Sequence, residues 1–221
     1  MLQQTQVARV LERYPRWLQR FSDFPTLAQA TTAEVLEEWQ GMGYNRRALW
    51  LHGIAKVVRE ELSHDPVELV KLPGIGPNTA GSIAAFAFNA PVVFIETNIR
   101  RVFLHELFAN ELGVDDKQLM PLIAETLDRQ NPREWYYALM DYGAYLAKAV
   151  PNPNRRSKHH TVQSKFEGSR RQLRGEILRQ LLVRPRTVEE FELIDDRLAQ
   201  TLEVLSREGF IVLSEGIYAV R

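Results

Sequence analysis

The sequence predicts a mainly α protein that ends in a small winged-helix-like α+β unit. Three observations point there. Apolar residues recur at helical spacing through the first 150 positions with only short breaks. A Gly-x-Gly turn, Leu72-Pro73-Gly74-Ile75-Gly76-Pro77-Asn78-Thr79-Ala80, lies between two helical patterns. The C-terminus carries two apolar runs, 209–213 and 217–220, about Ser214-Glu215-Gly216, which is a hairpin signature.

The first helical pattern runs from residue 1 and includes Val7, Val10, Leu11 and Tyr14. It has no capping residue, so it reads as a helix interior, and the chain is expected to be truncated at its N-terminus. Asp23-Phe24-Pro25 breaks the chain, and Thr26 is the expected start of the next helix. Thr32 is expected to cap the helix carrying Glu34 to Trp39, with Val35, Leu36 and Trp39 on its apolar face. Leu49, Leu51, Ile54, Val57 and Val58 mark another. Asp65 is placed to cap a short helix opening at Pro66, and Pro77 occupies the first turn of the one after. Residues 91–95 read as extended, too short to imply a sheet. Pro132 opens a helix whose Trp135, Leu139, Tyr142 and Leu146 are assigned to the core.

Val150-Pro151-Asn152-Pro153 is expected to close a first domain, 1–150. A basic linker, 151–167, and a second domain, 168–221, follow. That domain is expected to hold helices over 170–182, 187–193 and 195–207 before the hairpin. Its candidate recognition helix carries Asp195, Asp196 and Glu203, so contact with a protein partner or structural support reads ahead of groove reading.

With 221 residues, 45% hydrophobic and 25% charged, the composition is that of an ordinary soluble globular protein. No apolar run is long enough to span a bilayer and no signal-peptide pattern opens the chain, so a cytoplasmic location without a membrane partner is expected. A formal net charge of zero does not argue against nucleic acid, because binding depends on where charge sits. Arg155, Arg156, Lys158, Lys165, Arg170, Arg171 and Arg174 cluster against a lone Glu167, which reads either as a solvated linker or as a phosphate-tracking segment. The absence of cysteine excludes disulfides and thiolate metal sites. The adjacent His159 and His160 lack further ligands at metal spacing.

The Gly-x-Gly turn has its own chemistry. Gly74 and Gly76 are expected to turn the backbone through positive φ and to leave no side chain over the turn. Exposed N–H groups and the next helix N-terminus then form a concavity for a phosphate oxygen, which is the logic of a helix-hairpin-helix clamp on a DNA backbone. Glu96 arrives soon after, at the start of another helix. The backbone dipoles there favour its anion, so it is expected to stay ionised and to suit cation stabilisation or water activation. The plain alternative is a helix cap, a task glutamate performs less well than Asp, Ser or Thr.

Four stretches together carry a resemblance: Met1-Leu2-Gln3-Gln4-Thr5-Gln6-Val7, Trp39-Gln40-Gly41-Met42-Gly43-Tyr44, the hairpin at 72–80, and 94–102. Their order and spacing resemble the helix-hairpin-helix DNA glycosylase superfamily, most closely its MutY-type adenine glycosylases, with endonuclease III more distant. The resemblance runs from residue 1 to about 150. It implies a base-excision-repair enzyme acting on double-stranded DNA with a mismatched or damaged base, in a nucleoid-associated setting. The base would be adenine opposite 8-oxoguanine or guanine, with thymine or uracil in mismatches as the alternative.

By the same resemblance Glu96 matches the catalytic Asp, Gln3 and Gln4 lie near the extruded nucleotide, and Tyr44 wedges beside the opposing base. Leu72, Gly74, Gly76, Asn78 and Thr79 would hold the DNA backbone, with Arg100 as a phosphate contact beside Arg46, Arg47 and Arg101. The hairpin leaves room for a monovalent cation. Asn78 stands where the lyase members have a Schiff-base lysine, which implies a monofunctional glycosylase. Many members carry a four-cysteine iron–sulfur cluster where this chain has 150–160, so a clusterless relative is expected. The family's general acid is a Glu two residues before the Met-Leu-Gln-Gln motif, ahead of Met1. Without it, a non-catalytic DNA-binding module is the contrasting reading. The family's usual C-terminal 8-oxoguanine-reading domain has no counterpart here.

Overall fold

The computed structural model describes residues 1–58, 60–192 and 195–221. Among these the helices are α1 (Val7–Arg20), α2 (Phe24–Gln29), α3 (Thr32–Glu38), α4 (Arg46–Val57), α5 (Pro66–Leu69) and α6 (Pro77–Phe88), then α7 (Thr97–Glu106), α8 (Asp116–Thr126) and α9 (Pro132–Ala149). A 3-10 turn at Pro153–Arg156 precedes α10 (Arg170–Val183) and α11 (Leu198–Arg207), and strands β1 (Ile211–Ser214) and β2 (Ile217–Val220) close the chain. The chain forms two compact units, one of residues 1–61 with 164–221, the other of residues 62–163.

This division differs from the expected boundary near 150. The C-terminal segment does not build a core of its own. Leu173, Ile177, Leu178 and Leu181 of α10 and Leu202 and Leu205 of α11 share one apolar cluster with Val10, Trp17, Phe21, Val35, Leu36 and Trp39. Trp17 packs edge-on against Phe21 and Trp39 at centroid distances of 4.9 and 5.5 Å. Glu208 then ties the two stretches by charge, with Arg46 at 2.5 Å and Arg174 at 2.5 Å. The last two strands pair antiparallel in the register Ile211↔Val220 to Ser214↔Ile217. Glu215 and Gly216 turn at φ 51° and 80°, the left-handed pair that a two-residue hairpin requires.

Several expected elements move. The helix expected from residue 1 starts at Val7, because Gln4 at φ 54° and a turn from Thr5 N to Leu2 O break the pattern. Of its expected stripe only Val10 is buried, while Val7, Leu11 and Tyr14 are exposed. Val10 and Trp17 form the seam instead, and Arg16 and Arg20 fix it by pairing with Glu38 and Glu34 of α3. The helix expected at Thr26 begins at Phe24, with Asp23 as its cap. Thr31, not Thr32, caps α3 through a reciprocal box with Glu34.

No helix covers 187–192; Leu193 lies outside the described residues. Arg186 exchanges backbone hydrogen bonds with Tyr218 of β2 at 2.9 and 2.8 Å, and the residues after it close only turns, Glu190 N donating to Thr187 O and Phe191 N to Val188 O. The helix expected from Asp195 starts at Leu198, since the Asp195 carboxylate accepts the Arg197 N–H and holds a turn.

In the second unit α7 packs between α8, α9 and the extended run 91–95. Phe94, Ile95, Ile99, Leu104, Leu119, Ile123 and Tyr136 are among its most deeply buried members. Tyr142, expected in this core, is exposed, and its hydroxyl donates to Glu106 Oε1 at 2.5 Å. The inward face of α9 is carried by Tyr136, Gly143 and Leu146. No helix among the described residues is long and apolar enough to cross a membrane.

His52 of α4 is buried, and Nε2 has no hydrogen-bond partner. Burial, and then Lys56, push its imidazole below the ordinary value of 6.5, against the carbonyls of Ala28 and Ala30. The neutral ring is therefore favoured in the folded state. Stability should be fully present above about pH 6.5 and fall as the unfolded chain takes up this proton below it. Chemical denaturation at pH 7.5 and 5.5 tests this, and His52→Gln should remove the acid-dependent part.

Candidate active site

The hairpin is built by caps. The Asp65 carboxylate accepts the Val67 N–H at 2.8 Å and opens α5. Ile75 N donates to Leu72 O at 3.2 Å across the turn, and the buried Ile75 and Leu69 side chains anchor it from below. Gly74 takes φ 72°, as expected. Gly76 does not: it is an extended N-cap at φ −89°, ψ 173°. An added Cβ at Gly76 meets no atom within 4 Å, so the space over the turn is open. No side chain caps α6, and Ala80 is the first residue whose N–H bonds back, to Gly76 O. Asn78 and Thr79 thus present their N–H groups beyond the turn, with Gly74, Gly76 and Asn78 exposed and Leu72 and Thr79 half-buried. These donors suit an anion.

Glu96 is the N-cap of α7. Its Oε1 accepts N–H from Asn98 at 2.5 Å and from Ile99 at 2.8 Å. The cap is therefore real, and it uses one oxygen; Oε2 accepts no hydrogen bond from the described residues. The carboxyl is half-buried, and burial raises its pKa above the ordinary 4.5, outrunning the two N–H bonds, Arg100 and Arg101. The balance is thus less favourable to the anion than the helix dipole alone predicts.

Two glycines set where Glu96 sits. A Cβ on Gly81 of α6 would lie 2.6 Å from Phe94 Cβ, and one on Gly143 of α9 would lie 2.5 Å from Asn98 O. Both helices therefore press on the 94–98 segment as only glycine permits. Tyr136 holds the same segment from within, accepting the Phe94 N–H at 3.3 Å and donating to Val92 O at 2.8 Å, with its hydroxyl pushed by burial up to about 12. Sequence reading missed these three residues. A glycine inside a helix is itself a signal, since it is destabilising unless something must come close.

The arginines are committed elsewhere. Arg100 pairs with Asp116 through Nε and Nη2, both at 2.7 Å, which engages the edge expected to meet a phosphate. Arg101 is buried, and its Nη1 donates to Asn98 Oδ1 and Gly143 O at 2.6 Å each. Arg46 pairs with Glu208. Arg47 donates to the carbonyls of Met1, Gln3, Met42 and Gly43 and to Thr5 Oγ1. For Arg47 and Arg101, burial that removes the guanidinium from water explains why each finds acceptors within the protein. Arg47 brings Gln3, Gln4 and Tyr44 together in the first unit, whereas the hairpin and Glu96 belong to the second.

The stretch 150–160 is a polar strap. Asn154 Nδ2 donates to Thr97 O at 3.1 Å, and Arg156 Nη1 to Leu104 O at 3.2 Å. Val114 and Ser157 form a parallel bridge, and Asp115 accepts from Lys158 at 3.2 Å. Its Lys117 N–H bond and Lys158 hold the Asp115 carboxyl at about 2. With no cysteine in the chain, these residues do not fit an iron–sulfur cluster. Of the basic run, Arg156, Lys158, Arg171 and Arg174 bond within the protein, while Arg155, Lys165 and Arg170 are exposed.

Comparison with known proteins gives the site a context. The profile for HhH-GPD superfamily base excision DNA repair protein matches residues 1–127. The adenine DNA glycosylase of Buchnera aphidicola is 32% identical over 163 residues, covering 70% of this chain and 46% of that protein. The Mycobacterium tuberculosis enzyme of the same name is 36% identical over 159 residues, covering 67% and 51%. The chain thus spans about half the length of these relatives. Among solved structures, a thermostable thymine-DNA glycosylase aligns with a TM-score of 0.58 at 21% identity, covering 69% of this chain and 73% of that one. A trapped endonuclease III–DNA covalent intermediate aligns at 0.57 and 19%, covering 67% and 71%. At these identities the likeness shows the fold.

Because α9 rests against the Asn98 carbonyl with no room for a methyl group, Gly143→Ala should destabilise the protein by about 1–3 kcal/mol through overpacking. The gain in helix propensity offsets this by only about 1 kcal/mol. Urea unfolding of the two forms checks it.

Proposed function

The chain belongs to the HhH-GPD superfamily of base excision DNA repair proteins, and we propose that it is a monofunctional DNA N-glycosylase that removes adenine mispaired with 8-oxoguanine or guanine. The observation that carries this reading is Glu96, whose one oxygen is fixed by two backbone N–H groups while the other is left uncommitted. The names of the sequence relatives support adenine. The thymine-DNA glycosylase likeness, at 21% identity, speaks only for the fold, so thymine excision is not favoured.

In this reading the C1′–N bond breaks, its electron pair leaves with the base, and a cationic sugar forms. Glu96 Oε2 stabilises that cation, water then adds at C1′, and the proton it loses neutralises the departing base, so the products are the free base and an abasic sugar. The strength of such a contact comes from a half-buried carboxylate already oriented before charge develops. Asn78 offers an amide in place of an amine, so no Schiff base forms there and the product is an abasic site in an uncut strand. The hairpin holds a backbone phosphate on the N–H groups of Asn78 and Thr79.

Single-turnover excision on an adenine·8-oxoguanine duplex is the deciding experiment. Glu96→Gln should lower the rate by roughly a hundredfold or more while duplex affinity stays within twofold. Glu96→Asp should retain substantial activity. An unchanged rate in Glu96→Gln would leave Glu96 a helix cap, whereas no excision by the unaltered protein would leave the chain a DNA-binding module.

The ionised carboxylate is the working form, so the rate should fall as pH drops through its pKa. Burial places that acid limb above the ordinary glutamate value of 4.5. A pH–rate profile measured under single turnover reads it directly, and Glu96→Gln should lack the limb.

Gly76→Val adds bulk over the turn at a backbone angle that valine adopts readily, and no protein atom opposes it. Its melting temperature should be unchanged. Affinity for matched and mismatched duplexes should fall alike, as expected of a backbone contact.

A further inference from the structure

Among the described residues, the non-glycine positions with positive φ are Gln4, Tyr44, Asn89 and Glu215. Two have local reasons: Asn89 is the left-handed cap of α6, and Glu215 sits in the two-residue hairpin turn. Gln4, at φ 54°, is the third residue of the Leu2–Thr5 turn, a position that favours glycine or asparagine, and Tyr44, at φ 49°, stands just before Asn45 opens α4. They lie on different loops of one unit, and both are exposed. A long amide and an aromatic side chain in this backbone region are strained and persist only where the surroundings hold them.

Arg47 is what holds them. Its Nη1 donates to Gln3 O and to Met1 O, the latter at 3.1 Å. Its Nη2 donates to Thr5 Oγ1 at 2.8 Å, Gly43 O at 3.3 Å and Met42 O at 3.4 Å. The carbonyls of Gln3 and Gly43 belong to the peptide planes that lead directly into Gln4 and Tyr44. Fixing each plane fixes one side of each strained torsion. The guanidinium carbon also lies 5.4 Å from the ring centres of both Tyr44 and Trp39, so the Tyr44 ring rests on the same group. One planar cation therefore sets two strained residues at once, and a lysine has neither the fork nor the flat face to do so.

We propose that Arg47 is a positioning residue that presents Gln4 and Tyr44 as a preformed pair of prongs to a disrupted base pair in duplex DNA. The proposal rests on the DNA reading above but not on Glu96. Strain held in the free protein means that the prongs need no rearrangement when they meet the stack. Unstacking a base is the costly step for an enzyme that acts on it.

The test uses the 221-residue chain and a duplex with 2-aminopurine opposite guanine, whose fluorescence rises when the base unstacks. The protein should raise that signal. Arg47→Lys should lose at least four-fifths of the rise, with melting temperature unchanged and affinity for matched duplex within twofold. A merely structural role would move melting and affinity first. Thr5→Val removes a single acceptor of the guanidinium and should lose part of the rise without unfolding, so it decides the matter if Arg47→Lys fails to fold. Glu96→Gln should keep the full rise, which separates a failure of the prongs from a failure of the excision reading. A full rise in both Arg47→Lys and Thr5→Val, or no rise with the unaltered protein, overturns the proposal.

Discussion

The 94–98 segment is gripped between two helices that carry glycine where they touch it, and the site depends on that closeness. Gly81 of α6 meets Phe94, and Gly143 of α9 meets Asn98. Each glycine costs about 1 kcal/mol in helix propensity relative to alanine. That cost is offset by what close approach allows: Phe94 and Tyr136 become fully buried, with their rings 4.3 Å apart. Because α6 begins at the hairpin turn and also bears Gly81, one rigid helix links the N–H groups at its start to the chain entering Glu96.

Opposed electrostatic effects meet at Glu96. Desolvation disfavours its charge, while two N–H donors, Arg100 and Arg101 favour it. Neither arginine makes an ion pair with it, because Arg100 is held by Asp116 and Arg101 by Asn98 and Gly143. Their fields reach the carboxylate without taking up its second oxygen. A direct ion pair would have steadied the anion and blocked it. The arrangement keeps a carboxylate that is anchored, partly desolvated and open on one side, as expected of a group meant to meet a short-lived cation.

Local features were legible in the sequence and long-range ones were not. Asp65, Pro77 and Gly74 announce the hairpin because caps and turns are decided by a few neighbouring residues. The terminal hairpin was legible for the same reason. The shared core of α1–α4 with α10 and α11 was not, since the stripe of Leu173, Ile177 and Leu181 states that a face is buried but not against what. Periodicity also misjudged α9 by one residue: Tyr142 fits the apolar stripe, yet Gly143 is the point of closest packing. The arginines read as phosphate contacts because charge in a sequence carries no record of its acceptor. Arg47 and Arg101 find theirs in the carbonyls of Gln3 and Gly143, far along the chain.

The strap at 150–160 is fixed by hydrogen bonds from its side chains to backbone carbonyls. Asn154 binds the carbonyl of Thr97 and Arg156 that of Leu104, so the 3-10 turn between them lies along α7 and is fastened near both of its ends. Val114 pairs with Ser157, and the depressed Asp115 carboxyl stays charged toward Lys158 well below neutral pH. Each bond is individually modest. Their geometry matters more than their sum, because α7 is then bounded by α9 on one side and by the strap through its own backbone. The first turn of α7, where Thr97 and Asn98 are both held, cannot shift without breaking bonds to two separate elements. Glu96 caps that turn, so a cysteine-free loop helps fix the direction in which its free oxygen points.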